Sequence, residues 1–485
     1  LTFATTVAAA VLAASVAARA QDANTAPRTE LDPSITLDPS APQVGALPGG
    51  VTPAFGQRPM SEGEWRFDFH GLVTAPLNMG FNTRPNQGYA YPCPAPAGGM
   101  PPCPGQSKLV LHAPPVVPDD LETFSHTGVV PTTYAQINFS EGNSIVTAVV
   151  SIIAKQANVS EGFLEPAAQL GISDVFVAVN PPLTGRFHVN AFVGAFTARY
   201  GTSGEYDEGR YGTPLIARIS GVGELATGRI GLGDFTLSLE EGVHGQTNKA
   251  ASSITPDVWN NFADPGTGST FVVHGHAGLS WRRNLTVGGH LIHAFTMDDR
   301  AGTAALDGSI DVYAGDARLN MGRFGHLYAA VAYTDAVQAR SVSRVISVLN
   351  TQGGPGLMDN YLGPLSGGTG TLTTVGGQYD LSIGRLVSYP VPFSGDGPDL
   401  YVSVFGMMTH VTSVDHTTDA QSMVSTYDGV DKRKFGVEAT YSFLPWLATS
   451  GRLDQVDPNT KNRDFSFAEA TARLILHSDW QSTDQ

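Results

Sequence analysis

From residue 133 onward, apolar and polar side chains alternate with a period of two. The stretch 134–140 puts Ala135, Ile137 and Phe139 on one face and Tyr134, Gln136, Asn138 and Ser140 on the other. Phe235, Leu237 and Leu239 oppose Asp234, Thr236, Ser238 and Glu240; Phe435, Val437, Ala439, Tyr441 and Phe443 oppose Lys434, Gly436, Glu438, Thr440 and Ser442. Period two marks strands with one apolar and one polar face, and no stretch carries the 3.6-residue period of a convincing amphipathic helix. The pattern predicts strands at 65–75, 133–140, 144–154, 173–180, 186–199, 211–226, 233–244, 270–282, 285–297, 308–321, 323–335, 371–385, 399–413, 433–443, 446–456 and 464–477.

The connections between these strands also alternate. Those at 141–143, 181–185, 227–232, 283–284, 322 and 444–445 are short. Those at 76–132, 155–172, 245–269, 336–370 and 414–432 are long, while 200–210, 298–307 and 386–398 fall between. Lipid satisfies no backbone hydrogen bond, so only helices and closed barrels span a membrane. Two-faced strands with short turns at one rim and long loops at the other are the signature of the closed barrel. The expected fold class is all-β: a single transmembrane antiparallel β-barrel of about 16–18 strands behind a Pro-rich, disordered N-terminal leader. Aromatics near segment ends (Phe196, Tyr200, Trp281, Phe295, Tyr313, Tyr333, Tyr389, Phe443, Trp446) suit girdles at the two membrane interfaces.

Composition supports this architecture. Only 15% of the 485 residues are charged and 41% are hydrophobic. A large soluble enzyme needs a charged surface, whereas a barrel keeps its polar half-faces inside. The 44 acidic residues outnumber 28 basic ones, which disfavours nucleic acid as a partner. At 485 residues three soluble domains would be ordinary, and one barrel replaces that estimate.

The N-terminal part reads differently. Residues 2–18 are apolar and Ala-rich, and Ala18-Arg19-Ala20 is a small-x-small cleavage pattern. Residues 1–20 are therefore expected to be a secretory signal peptide truncated at its start. Eighteen of the 32 prolines precede residue 119. Residues 21–60 read as a Pro-rich periplasmic linker and 61–485 as the outer-membrane barrel.

A resemblance follows from the hairpin at 439–457 (ATYSFLPWLATSGRLDQVD) and from the strand–turn pair at 134–154. A Tyr/Phe-ended strand, a Pro-containing turn and an Arg-x-Asp strand resemble the hairpins of Gram-negative outer-membrane porin-like barrels, loosely those of the phosphate-selective type. The resemblance implies the bacterial outer membrane as location and its lipid as partner. Such barrels end on a terminal aromatic strand, and this sequence ends Trp480-Gln-Ser-Thr-Asp-Gln485; a closing hairpin is expected beyond it. Lipid-facing glycines would suit a protomer contact in a homotrimer, which the sequence does not place.

Candidate chemistry is of the channel kind. Alternation puts Asp174, Arg218, Asp234, Glu240, Arg282, Asp316, Arg318, Asp380, Lys434, Glu438, Arg452, Asp454, Glu469 and Arg473 on polar faces as candidate pore-lining residues. Acidic and basic groups facing each other across a lumen order polar solutes and set ion preference. Cys93 and Cys103, ten apart in a Pro/Gly-rich loop, are a candidate disulfide in an oxidising compartment. His274, His276 and His290 read as polar lumen-facing side chains rather than a metal site. No catalytic motif appears, no cofactor and no metal are expected, and the basic residues are too scattered to assign anion selectivity. The expected function is an outer-membrane channel for passive diffusion of small polar solutes or ions. The alternatives are a plugged substrate-specific transporter or barrel enzyme, and a soluble secreted β protein.

Overall fold

The computed structural model describes residues 65–74, 77–81, 129–143, 145–157, 168–181, 187–200, 217–247, 269–282, 284–297, 308–337, 346–348, 369–387, 399–413, 429–444, 447–457, 460 and 466–476. The segments 1–20 and 21–60, and the pair Cys93 and Cys103, lie outside them.

The strands are β1 Arg66–Thr74, β2 Leu77–Phe81, β3 Val129–Gly142, β4 Val146–Ala157, β5 Ala168–Val179 and β6 Phe187–Tyr200. They continue with β7 Ala217–Leu232, β8 Phe235–Thr247, β9 Ser269–Trp281, β10 Leu285–Met297, β11 Ser309–Asn320 and β12 His326–Val337. The last six are β13 Ile346–Val348, β14 Gly370–Ser382, β15 Asp399–Ser413, β16 Val430–Leu444, β17 Leu447–Asp457 and β18 Phe467–Leu476. Wall neighbours pair antiparallel, and the ring closes where β18 pairs with β2 from Ala468↔Phe81 to Thr471↔Asn78. Both β1 and β2 pair with β3, with Pro76 between them, so they act as one wall strand. β13 pairs only with the Ala217–Ile219 end of β7. The wall therefore has sixteen strands, an even number with room for a lumen, and it closes without a further hairpin.

Short turns gather at one rim and the long connections at the other. The β7–β8 turn is two residues, Gly233-Asp234, with Gly233 at φ 68°. Only the turn glycine takes this left-handed conformation without strain. The sequence reading placed this turn at 227–232; Thr227, Arg229 and Ile230 instead continue the β7 ladder opposite β8. A three-residue 3-10 turn, Gly322–Phe324, joins β11 to β12. A five-residue helix, Ile383–Val387, follows β14. Among the described residues no helix is long and apolar enough to cross a membrane; the crossing elements are strands.

Polarity is inverted relative to a soluble barrel. Val177, Val193, Leu239, Leu279, Leu291, Val331, Val375, Val404, Val437 and Leu453 point outward and are exposed. The residues next to them along each strand point inward and are buried or half-buried. Phe187, Phe235, Trp281, Phe324 and Phe443 ring the short-turn rim on the outside. Near the opposite rim the outer face turns polar: His293 Nδ1 lies 2.6 Å from Asp311 Oδ1, and His410 Nδ1 lies 2.7 Å from Asp431 Oδ1. On β12 the outward run Leu327, Ala329, Val331, Tyr333 ends at Asp335. Eight residues at roughly 3.3 Å each, tilted by about 40°, give an apolar band of about 20 Å, close to the height that lipid requires. This is a transmembrane β-barrel.

Of the aromatics expected in girdles, Trp281, Tyr313, Tyr333 and Phe443 are outward and exposed, and Phe295 stacks on Phe271 near the long-loop rim. Phe196 corrects the expectation: it faces inward, is 1% exposed, and packs edge-on against Phe176. Its place near a strand end suggested a girdle, but it shares parity with Phe192, two positions before Gly194. The side chains of Tyr200, Tyr389 and Trp446 lie outside the described residues.

Candidate functional site

Direct partners across an antiparallel ladder share a face, so the register sorts the inner wall into rows that cross the strands. One row runs Arg452, Glu438, Ser403, Asp380, His326 over β17, β16, β15, β14 and β12. The next runs Asp454, Gly436, Phe405, Gln378, Tyr328, Arg318 and reaches β11. A third contains Lys434, Met407, Gly376, Ala330, Asp316, Gly288, Gly278 and Ser238. A fourth contains Lys432, Thr409, Thr374, Ala332, Ala314, His290, His276 and Glu240.

Ion pairs, hydrogen bonds and ring contacts tie inner-face side chains together. Arg452 Nε donates to Asp454 Oδ2 at 2.5 Å. Asp380 accepts from Ser403 Oγ at 2.5 Å and from Gln378 Nε2 at 2.9 Å. The Arg318 guanidinium lies over the Tyr328 ring, 5.6 Å from its centroid. His290 Nε2 meets Asp316 Oδ2 at 3.0 Å, and His276 stacks on His290 at 4.4 Å between centroids. His274 Nε2 lies 3.1 Å from His244 Nδ1. Glycines make this density possible. A Cβ on Gly288 would lie 2.6 Å from Asp316 Oδ1 and 2.7 Å from His276 Nε2, and one on Gly242 would run into the His274 ring.

Asp174, Asp316, Arg318, Asp380, Lys434, Glu438, Arg452 and Asp454 all lie on the inner face and are buried. Glu240 is on the same face and half-buried. Two expectations are corrected: Asp234 and Arg282 belong to turns at the short rim, not to the wall. They are exposed and pair with each other, Arg282 Nη2 donating to Asp234 Oδ2 at 3.0 Å. Each sits just past the last ladder residue, where alternation no longer fixes a face. Position 218 pairs with 199, 469 with 454 and 473 with 450; the side chains of Arg218, Glu469 and Arg473 lie outside the described residues. Sequence reasoning missed Lys432, His326 and Ser403, while alternation puts Gln378 on the same polar face as Asp380. Lys432 was within reach, since it shares parity with Lys434, but the strand was started one residue too late. Among the described residues no group of three or more His, Cys, Asp or Glu is arranged to hold a metal ion.

No family model and no curated protein matches the sequence. Among solved structures, the chain is similar to OmpF of Salmonella typhi in complex with daunomycin: 11% identity and TM-score 0.41, over 84% of this chain and 97% of that one. It is similar to the outer membrane channel DcaP of Acinetobacter baumannii: 9% identity and TM-score 0.44, over 86% and 99%. It is also similar to the anion-selective porin from Comamonas acidovorans: 10% identity and TM-score 0.41, over 85% and 99%. The likeness assigns no residue and no solute to this chain.

Proposed function

We propose that this barrel is a channel of the bacterial outer membrane through which small polar solutes or ions diffuse. The observation that carries the reading is the inversion of polarity in a closed ring: apolar side chains outside and charged ones inside. A soluble barrel has no use for that arrangement. The charged rows on β11–β17, with both signs side by side, are the proposed pore lining and supply the local field that a permeating ion meets. Export across the inner membrane by the Ala18-Arg19-Ala20 signal belongs to the same proposal. So does homotrimeric assembly, for which outward Ala277, Gly289, Gly315 and Ala317 offer a flat face; crosslinking of the native membrane fraction tests it.

The protein, refolded and inserted into planar bilayers, is expected to give discrete conductance steps. Folded, inserted protein without steps overturns the channel. A filled lumen is the second reading, favoured by the burial of Lys432 and Lys434 at 0% exposure. It predicts silence in the same bilayer, together with specific uptake of one substrate.

A further inference from the structure

The outer face of the wall carries a charge that lipid does not explain. Glu241 lies two residues beyond outward Leu239 and is exposed on the same face. It is the middle residue of β8, which runs from Phe235 to Thr247. Phe235, Leu237 and Leu239 separate it from the short-turn rim, and Val243 follows it on the same face. Val222 on β7 and Val273 on β9 are exposed nearer the long-loop rim, so Glu241 stands within the apolar band. Its ladder partners are Ala226 and Gly275. Glu224, also outward and exposed, lies on the diagonal, since its own partner on β8 is Val243. None of these apolar neighbours donates a side-chain hydrogen bond or carries a positive charge. Acyl chains do neither, and a charge on the lipid side of a barrel strand destabilises it more the deeper it lies. An ionisable group at such a place marks contact with something other than lipid.

The glycines around it are a second, independent observation. On the inner face Gly242 is required, because a Cβ there would run into the His274 ring. On the outer face a Cβ on Gly228 or Gly289 would meet nothing within 4 Å, and one on Gly275 or Gly315 only a carbonyl oxygen at 3.6 Å. Nothing in the barrel itself requires these outer glycines, which weaken a strand and give it no side chain to pack. Glycine stands in a strand where another backbone comes close. With Ala226, Ala277 and Ala317 they form a flat face from β7 to β11. The two carboxylates lie at one end of it and the exposed phenol of Tyr313 at the other. In a ring of identical subunits one end of such a face meets the other end of the next copy. Each copy then brings donors to its neighbour's acceptors.

We infer that the outer face of β7–β11 meets a second copy of this chain rather than lipid, and that Glu241 is the side chain that fixes the contact. The inference rests on the homotrimer reading and deepens it by placing the interface and naming its polar anchor.

The test uses the full chain in native outer membranes, crosslinked there and also extracted unheated in mild detergent, with the products separated by size. The unaltered protein is expected to give a multimer. Glu241→Leu, and separately Gly275→Leu, are expected to lower the ratio of multimer to monomer by about tenfold or more. Both variants suit a lipid-facing strand, so their monomers are expected to keep the gel mobility of a folded barrel. Glu241→Gln, which keeps a hydrogen-bonding side chain, is expected to retain more multimer than Glu241→Leu. The unaltered protein decides the matter even where a variant fails to fold. Dicyclohexylcarbodiimide, a lipid-soluble carboxyl reagent, is expected to modify Glu241 far less in native membranes than in the detergent-separated monomer. Equal modification in the two states, or an unchanged multimer in folded Glu241→Leu and Gly275→Leu, overturns the inference and leaves assembly through another face standing. An unaltered protein that is monomeric in native membranes overturns both.

Discussion

Arg452 and Asp454 sit two residues apart on the inner face of β17, joined at 2.5 Å, and each side chain is no more than 3% exposed. Two charges held this far from water are stable only as a pair. Arg452→Met is expected to destabilise the barrel by about 3–5 kcal/mol because it removes the cation paired with a buried carboxylate, while Arg452→Met with Asp454→Leu together costs less. Urea titration of the folded fraction in lipid vesicles, read by the difference in gel mobility of heated and unheated samples, measures both.

The same residue types at the rim behave differently. Arg282 and Asp234 are more than half exposed, so solvent screens them and Asp234→Asn should cost about 0.5 kcal/mol or less. Conductance and ion preference are expected to stay as in the unaltered protein. A changed reversal potential in Asp234→Asn would place this pair at the pore after all.

Adjacent glycines on β10 provide a third contrast. Gly288 faces inward, where a Cβ would press on Asp316 and His276; Gly289 faces outward with nothing within 4 Å. Gly288→Ala is expected to lose about 1–3 kcal/mol through overpacking, and Gly289→Ala to be close to neutral. Comparing the two urea midpoints checks this without any assay of transport.

A charge on the outer face tests the membrane assignment. Val331 is 50% exposed in the middle of the apolar band. Val331→Arg should cost about 2–4 kcal/mol in a bilayer, and Val331→Leu almost nothing. Equal folding of the two variants in vesicles would mean that this face does not meet lipid.

The sixteen wall strands were legible because each carries its own alternation, and alternation needs no partner to be read. β2 and β13 were not legible: one is five residues long behind Pro76, the other three residues long, too short to show a period. The β7–β8 turn was misplaced because Gly228 and Gly231 look like turn residues, although only Gly233 takes a positive φ. That error moved Asp234 onto the wall. Which inner side chains meet was beyond reach for another reason. His290 stacks on His276 because the β9–β10 register brings them opposite, and register is a property of the closed ring rather than of either strand.

The rows that carry these contacts are not level. Val411 lies twelve residues along β15 from Asp399, whereas Val149, in the same buried apolar cluster of the inner face, lies three residues along β4 from Val146. The apolar surface therefore winds down the inside of the barrel like a thread, with the charged surface winding beneath it.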